Sequence, residues 1–205
     1  MRRSLGVLAT AVASLIAASP AHAGCGDTKT SKPLHKLGDF PAPLMIGDSV
    51  LLGAIPNVAK DGFEINTRGC RQWSEGAHIV FQRKRNGTLP HEVGMFLGAD
   101  WTVSVAQIRT VMAIMGPKRV LVLVTPRELG GAGGPDAQHE RQVAKRFPTR
   151  VLLLDWVKYT KHRSRWFAPD GIHLGYGGAA GLGRFLRRAL PYAAPGKFPG
   201  PPPSS

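Results

Sequence analysis

From Pro41 to Leu190, apolar runs rich in Val, Ile and Leu alternate with amphipathic stretches, and this alternation restricts the fold more than any other feature. It describes strand, helix, strand in succession around a parallel sheet. Five strands are expected, at Pro43–Gly47, Gly62–Thr67, Glu92–Gly98, Arg119–Thr125 and Arg150–Trp156. The last three are almost continuously apolar, as strands covered on both faces must be. Val105, Ile108, Met112 and Met115 recur at spacings of three and four, which predicts one apolar helix face after the third strand. Those methionines read as core rather than as ligands. A final helix is expected over about Gly177–Leu190. With 205 residues, 43% apolar and 20% charged, the chain has the composition of one globular domain, which excludes collagen, coiled coil and wholesale disorder. No internal repeat is present.

The two ends read differently from the middle. Residues 1–23 form an expected signal peptide: basic Arg2 and Arg3, a short apolar run from Leu5 to Ala18, and the cleavage pattern Ala21-His22-Ala23. The run is too short to span a bilayer, and nothing later is apolar for as long, so no membrane span is expected. The mature protein is therefore expected to be secreted, extracellular or wall-associated, beginning near Gly24. Residues 24–40 read as a polar lead-in, 41–192 as the domain, and 193–205 as a mobile Pro, Gly and Ser tail. An exported chain with two cysteines, Cys25 and Cys70, most simply pairs them; the loop would contribute about 4 kcal/mol on the chain-entropy model. Two free thiols are the alternative. Acylation of Cys25 is disfavoured by His22, which stands where a lipobox has an aliphatic residue. Neither cysteine has metal-ligand spacing, so no metal is expected.

In a sheet of this kind, function collects just beyond the carboxyl ends of the strands. Gly47-Asp48-Ser49-Val50 follows the first strand. Glycine allows a sharp turn there, and a serine at the start of the next helix lies among outward-pointing N–H groups that favour negative charge. Ser49 thus suits a nucleophile whose attack creates an oxyanion, although on its own the motif reads more readily as a helix cap, by Ser49 or Asp48. A second loop shifts the balance. Trp166-Phe167-Ala168-Pro169-Asp170-Gly171-Ile172-His173-Leu174 follows the fifth strand, and its Asp170 and His173 supply the base and the orienting carboxylate that a serine hydroxyl requires.

Taken together, these blocks make the chain resemble the SGNH or GDSL-type hydrolases, flavodoxin-like three-layer α/β esterases and acyl-transfer enzymes with a five-stranded parallel sheet. The resemblance covers about Pro43 to Leu190. Gly47-Asp48-Ser49 resembles the nucleophile block, Arg68-Gly69-Cys70-Arg71-Gln72 the glycine block, Leu97-Gly98-Ala99-Asp100 the Gly-x-Asn block, and Asp170-Gly171-Ile172-His173 the Asp-x-x-His block. The subgroup it resembles most is the SGNH domains that accompany membrane acyltransferases or act on O-acetyl groups of wall polysaccharides; the membrane portion is lacking here. The resemblance implies Ser49 as nucleophile, His173 as general base and Asp170 as its orienting group. It implies an oxyanion hole from the N–H groups of Ser49 and Gly69, or Cys70 in place of Gly69. The fourth role falls on Asp100, where the family has asparagine. An ionised Asp100 cannot donate to an oxyanion, and losing one such donor costs on the order of 10²–10³ in rate. Three outcomes stay open: a protonated Asp100 in a dry pocket, a substitute donor such as Arg71 or Gln72, or a slow or inactive enzyme.

Competing motifs are weak. There is no Gly-x-Ser-x-Gly, and Gly130-Gly131-Ala132-Gly133-Gly134 lacks the Gly-Lys-Ser/Thr that a phosphate cradle needs, so it reads as a flexible loop beside the site. His35, His78, His139 and His162 have no partner spacing and read as surface residues. Lys and Arg number 27 against 13 Asp and Glu, a formal charge of +14. Basic residues gather at Lys158, Lys161, His162, Arg163 and Arg165 and at Arg184, Arg187 and Arg188, either a solvated face or an attraction to an anionic wall polymer. Aromatics are not interleaved with these charges as nucleic acid would require. Trp73, Trp101 and Trp166 border motif segments, where they either line a sugar cleft or pack inside. The expectation is a monomeric, cofactor-free enzyme acting on a small acyl ester of a carbohydrate, with Arg71, Gln72 and Trp101 as substrate contacts. The alternative is an inactive module that binds an anionic wall polymer.

Overall fold

The computed structural model describes residues 25–200; the expected signal peptide and residues 201–205 lie outside that range. Six strands form one sheet: β1 (Lys29–Ser31), β2 (Leu44–Gly47), β3 (Glu64–Thr67), β4 (Glu92–Phe96), β5 (Val120–Val124) and β6 (Val151–Leu154). Their order is β1-β3-β2-β4-β5-β6. All neighbours from β3 to β6 run parallel, and Gly47 stands level with Thr67 on one side and Phe96 on the other. That common edge is the carboxyl edge of the sheet.

The alternation inside each strand explains why the sequence reads as unbroken apolar runs. Val120, Val122 and Val124 face one core with Met45, Phe63, Phe96 and Phe185, while Leu121 and Leu123 face the other with Ile46, Met95 and Val143. Helices α1 (Ser49–Leu52), α2 (Ile55–Lys60) and α7 (Tyr176–Leu186) contribute to the first core; α3 (Trp73–Arg85), α4 (Val105–Met115) and α5 (Pro135–Arg146) cover the second. The result is the expected three-layer α/β arrangement. Met112 and Met115 are buried in the second core, in keeping with their helical spacing. Short α6 (Trp156–Tyr159) follows β6, and two 3-10 turns, Ser164–Trp166 and Arg187–Tyr192, flank α7.

The sheet departs from expectation in one strand. β1 lies in the segment read as a polar lead-in, and it pairs antiparallel with β3, Lys29 opposite Thr67 and Ser31 opposite Ile65. Three polar, mostly exposed residues carry no apolar signal; what marks them is the Cys25–Cys70 disulfide, which ties this segment to the turn after β3. The expected strands are otherwise trimmed at their ends. Gly62, read as the start of the second strand, sits at φ +96 in a turn that leads into β3. The tail is also more anchored than expected, since Ala193 is buried and the His91 ring nitrogen Nε2 lies 2.8 Å from the Lys197 carbonyl. Among the described residues, no helix is long and apolar enough to cross a membrane.

Candidate functional site

Gly47 ends β2 with no room for a side chain, because a Cβ there would come 2.5 Å from the Leu51 side chain. The chain therefore turns at once into α1. Asp48 caps that helix: its Oδ1 accepts the Val50 N–H at 3.0 Å, and its Oδ2 accepts the Ala99 N–H at 3.3 Å from the loop after β4. One buried carboxylate thus fastens two of the site's loops to each other. Burial pushes the Asp48 carboxyl up to about 6, with the charge of Asp100 adding to the rise; the Val50 and Ala99 N–H groups and His173 pull the other way. The turn's carbonyls are held from the β3 side. Thr67 Oγ1 donates to the Asp48 carbonyl at 2.6 Å, and Arg71 donates to those of Gly47 at 3.2 Å and Asn66 at 2.6 Å.

Ser49, at the first position of α1, is 5% exposed. Its Oγ lies 2.9 Å from His173 Nε2, across 124 positions of sequence. His173 Nδ1 lies 2.7 Å from Asp170 Oδ2. The other Asp170 oxygen accepts the backbone N–H groups of Ile172, at 2.8 Å, and His173, at 3.0 Å. Burial alone would raise the Asp170 carboxyl, but the hydrogen bonds from the His173 ring and these two N–H groups outweigh it and hold the group below its ordinary range. Asp170 therefore stays ionised and fixes the imidazole so that Nε2 faces the serine. The arrangement can take a proton from Ser49 and return it to a leaving group.

The turn after β3 reaches the same edge. Gly69 is buried, Cys70 adopts a left-handed φ of 53 that side-chain-bearing residues seldom occupy, and the disulfide to Cys25 pins it there. Among the described residues, neither the Gly69 nor the Cys70 N–H donates to a protein acceptor.

The remaining sequence candidates divide. Asp100 is exposed at the rim, so the dry pocket considered for it is absent. Arg71 is buried with its donors on backbone carbonyls and on Thr28, which removes it as a substitute donor and as a substrate contact; its role is to clamp the turn. Gln72 is exposed at the start of α3, its backbone N–H spent on Glu75. Trp101 is 52% exposed, whereas Trp73 is buried and Trp166 packs on Trp156 with ring centroids 6.1 Å apart. His139, expected at the surface, is half-buried with Nδ1 2.7 Å from the Val103 carbonyl. The loop read as flexible is held by the Gly131 N–H on the Glu128 carbonyl and the Glu128 N–H on the Ala132 carbonyl.

Arg127 escaped the sequence reading. Its Nε donates to the Gly171 carbonyl at 2.8 Å and its Nη1 to Thr160 Oγ1 at 2.9 Å, while its guanidinium lies 4.0 Å over the Phe167 ring. It ties the loop after β5 to the loop that carries Asp170 and His173. An arginine directly after Thr125-Pro126, at a strand's carboxyl end, was the available signal.

No family model matches the chain. Two Staphylococcus aureus proteins, from strains COL and MRSA252 and each named as a candidate O-acetyltransferase, are 29% identical over 164 residues, covering 72% of this chain. The chain spans about a quarter of their length, 25%. Among solved structures, the C-terminal catalytic domain of Streptococcus pneumoniae peptidoglycan O-acetyltransferase A superposes with a TM-score of 0.64 at 22% identity, over 75% of this chain and 94% of that one. An acetylxylan esterase from Geobacillus stearothermophilus gives 0.54 at 14% identity, over 77% and 97%. A candidate SGNH hydrolase from Slackia heliotrinireducens gives 0.53 at 16% identity, over 74% and 100%. The chain has the SGNH-hydrolase fold. Within that SGNH fold, the four sequence blocks come to one edge of the sheet: Ser49 after β2, Gly69 after β3, Asp100 after β4 and the Asp170–His173 loop after β6.

Proposed function

We propose that this chain is a secreted SGNH-type serine enzyme that removes or transfers a small acyl group, acetyl foremost, on a carbohydrate or cell-wall polymer. The observation that carries the reading is the run of hydrogen bonds from Asp170 through His173 to Ser49, at 2.7 and 2.9 Å. In the proposed mechanism Ser49 Oγ attacks the acyl carbon and its proton passes to His173 Nε2. The resulting oxyanion takes hydrogen bonds from the Ser49 and Gly69 N–H groups. Collapse expels the alcohol, which leaves with the proton from His173, and an acyl-serine remains. Water, or the hydroxyl of an acceptor sugar, then gives its proton to His173 and attacks that ester, releasing the acid or a new ester and restoring Ser49. The names of the O-acetyltransferases and of the acetylxylan esterase support the acetyl and carbohydrate parts. Export is supported by the pattern of residues 1–23 and by the disulfide.

A second reading rests on Asp100, a carboxylate where the family has an amide donor. On that reading the fold is kept and the module binds an anionic wall polymer without cleaving it. Turnover of p-nitrophenyl acetate by the chain from Gly24 onward, beside Ser49→Ala, separates the two. Activity that drops to background in Ser49→Ala is expected. Turnover indifferent to that substitution overturns the serine mechanism, and a parent as inert as Ser49→Ala leaves the binding module.

A further inference from the structure

Beside the Ser49 edge, at the open side of β6, lies a groove that the acyl chemistry does not use. Two cavities meet there, of about 640 and 620 Å³, and Asp155 and Lys158 line both. Arg127, Arg141 and Lys161 line the first together with the Gly130–Gly133 loop; Arg163 and Arg188 line the second. Six cations therefore face one carboxylate. That carboxylate is already taken, because Arg141 binds both Asp155 oxygens at 2.8 and 2.9 Å. Among the described residues, none of the other five cations has an ion-pair partner.

Three of the five are also held in place. Arg127 is fixed by Gly171, Thr160 and the Phe167 ring. Arg163 and Arg188 lie over the Tyr159 ring, at 4.4 and 5.0 Å from its centre, and Arg163 also donates to the Tyr159 carbonyl. A guanidinium stacked on a ring keeps its N–H edge free for a carboxylate or phosphate and loses little freedom on binding one. The groove adjoins the site, since a Cβ on Gly171 would come 2.9 Å from the Gly131 backbone that forms the cavity wall.

We infer that the groove holds the charged units of an acidic polysaccharide while an ester on the same chain lies at Ser49. The inference rests on the ester reading above and adds that the substrate is anionic. Two neighbouring cavities that share Asp155 and Lys158, with cations along both, suit charges that recur down a chain, rather than a single small anion. Two aromatic rings line the groove: Tyr159 is covered by guanidinium groups and Phe185 is buried, so neither is available to stack bases, which disfavours nucleic acid.

The test measures binding of polygalacturonate, neutral dextran and single-stranded DNA to the Ser49→Ala chain, with and without Lys158→Ser, Lys161→Ser and Arg188→Ser together. Turnover of acetylated polygalacturonate is compared with that of neutral acetylxylan in the Ser49 background. Circular dichroism melts report whether the triple variant folds. Polygalacturonate affinity should fall about tenfold in the triple variant and weaken as salt is raised, with the kcat/KM preference for the acidic ester falling in parallel. Equal polygalacturonate binding by a folded triple variant overturns the inference, as does tighter binding of DNA than of polygalacturonate. If no ester is cleaved but the groove variants still lose polygalacturonate, the ester reading fails and the groove stands. If ester cleavage is normal and the two polymers are treated alike, the groove fails and the ester reading stands.

Discussion

Two acidic residues beside Ser49 act in opposite settings. Asp48 is buried and spends its oxygens on N–H groups of two loops, so its charge is absorbed locally. Asp100 is exposed at the rim; on the proposed mechanism it is an acceptor at the position where the resemblance implies an amide donor to the oxyanion. Asp100→Asn restores a donor that acts on the transition state more than on the ground state. The expected result is a rise in kcat for p-nitrophenyl acetate of about tenfold or more with KM nearly unchanged. Steady-state kinetics on the two proteins check it, and an unchanged kcat means that position 100 does not face the oxyanion. Ser49, Asp170 and His173 were legible in the sequence because the chemistry demands those residue types and because a strand must end before each loop. Arg71 and Arg127 were not. Whether a guanidinium faces substrate or backbone carbonyls depends on loop paths that no residue pattern states.

Helix α7 shows a different limit. Its Gly-rich sequence has poor intrinsic helix propensity, and its glycines are explained by what they touch. A Cβ on Gly178 would come 2.1 Å from the Trp166 carbonyl, and one on Gly181 2.3 Å from the Trp166 ring. The same Trp166 carbonyl accepts the Gly175 N–H at 2.9 Å, so the helix and the loop that holds His173 share an anchor. Gly178→Ala should destabilise the fold by about 1–3 kcal/mol and also lower kcat, because Trp166 cannot yield without moving that loop. Gly177→Ala, whose Cβ would meet the Trp166 side chain at 3.3 Å and so needs a shift of only a few tenths of an ångström, should cost much less in both. Melting temperatures and p-nitrophenyl acetate kinetics for the pair test this. The sheet order could be expected from the alternating runs, whereas β1 could not: three polar residues become a strand because a distant cysteine holds them against β3.

Over the whole molecule, buried acids set the response to pH. Glu92, fully buried at the start of β4, has no hydrogen-bond partner on either oxygen among the described residues, and burial pushes its carboxyl up to about 8. The folded state holds this proton more tightly than the unfolded chain, where the ordinary value is 4.5. Its contribution is therefore complete below that value and is lost as pH rises through about 8. Asp48, raised to about 6, and Glu140, raised well above its ordinary value, act in the same direction. Melting temperature should fall between pH 5 and pH 9, and Glu92→Gln should flatten that fall by about 5 °C or more. A variant that tracks the parent across the range refutes this account.

The contact between Ser49 and His173 spans 124 positions, and His173 lies beyond the last strand. A chain made or threaded from its amino end thus presents the serine long before its base exists. On the proposed mechanism, chemistry at Ser49 must await the far end of the domain, so a nascent or truncated chain stays silent toward esters around it, and the order of synthesis itself serves as a safety catch.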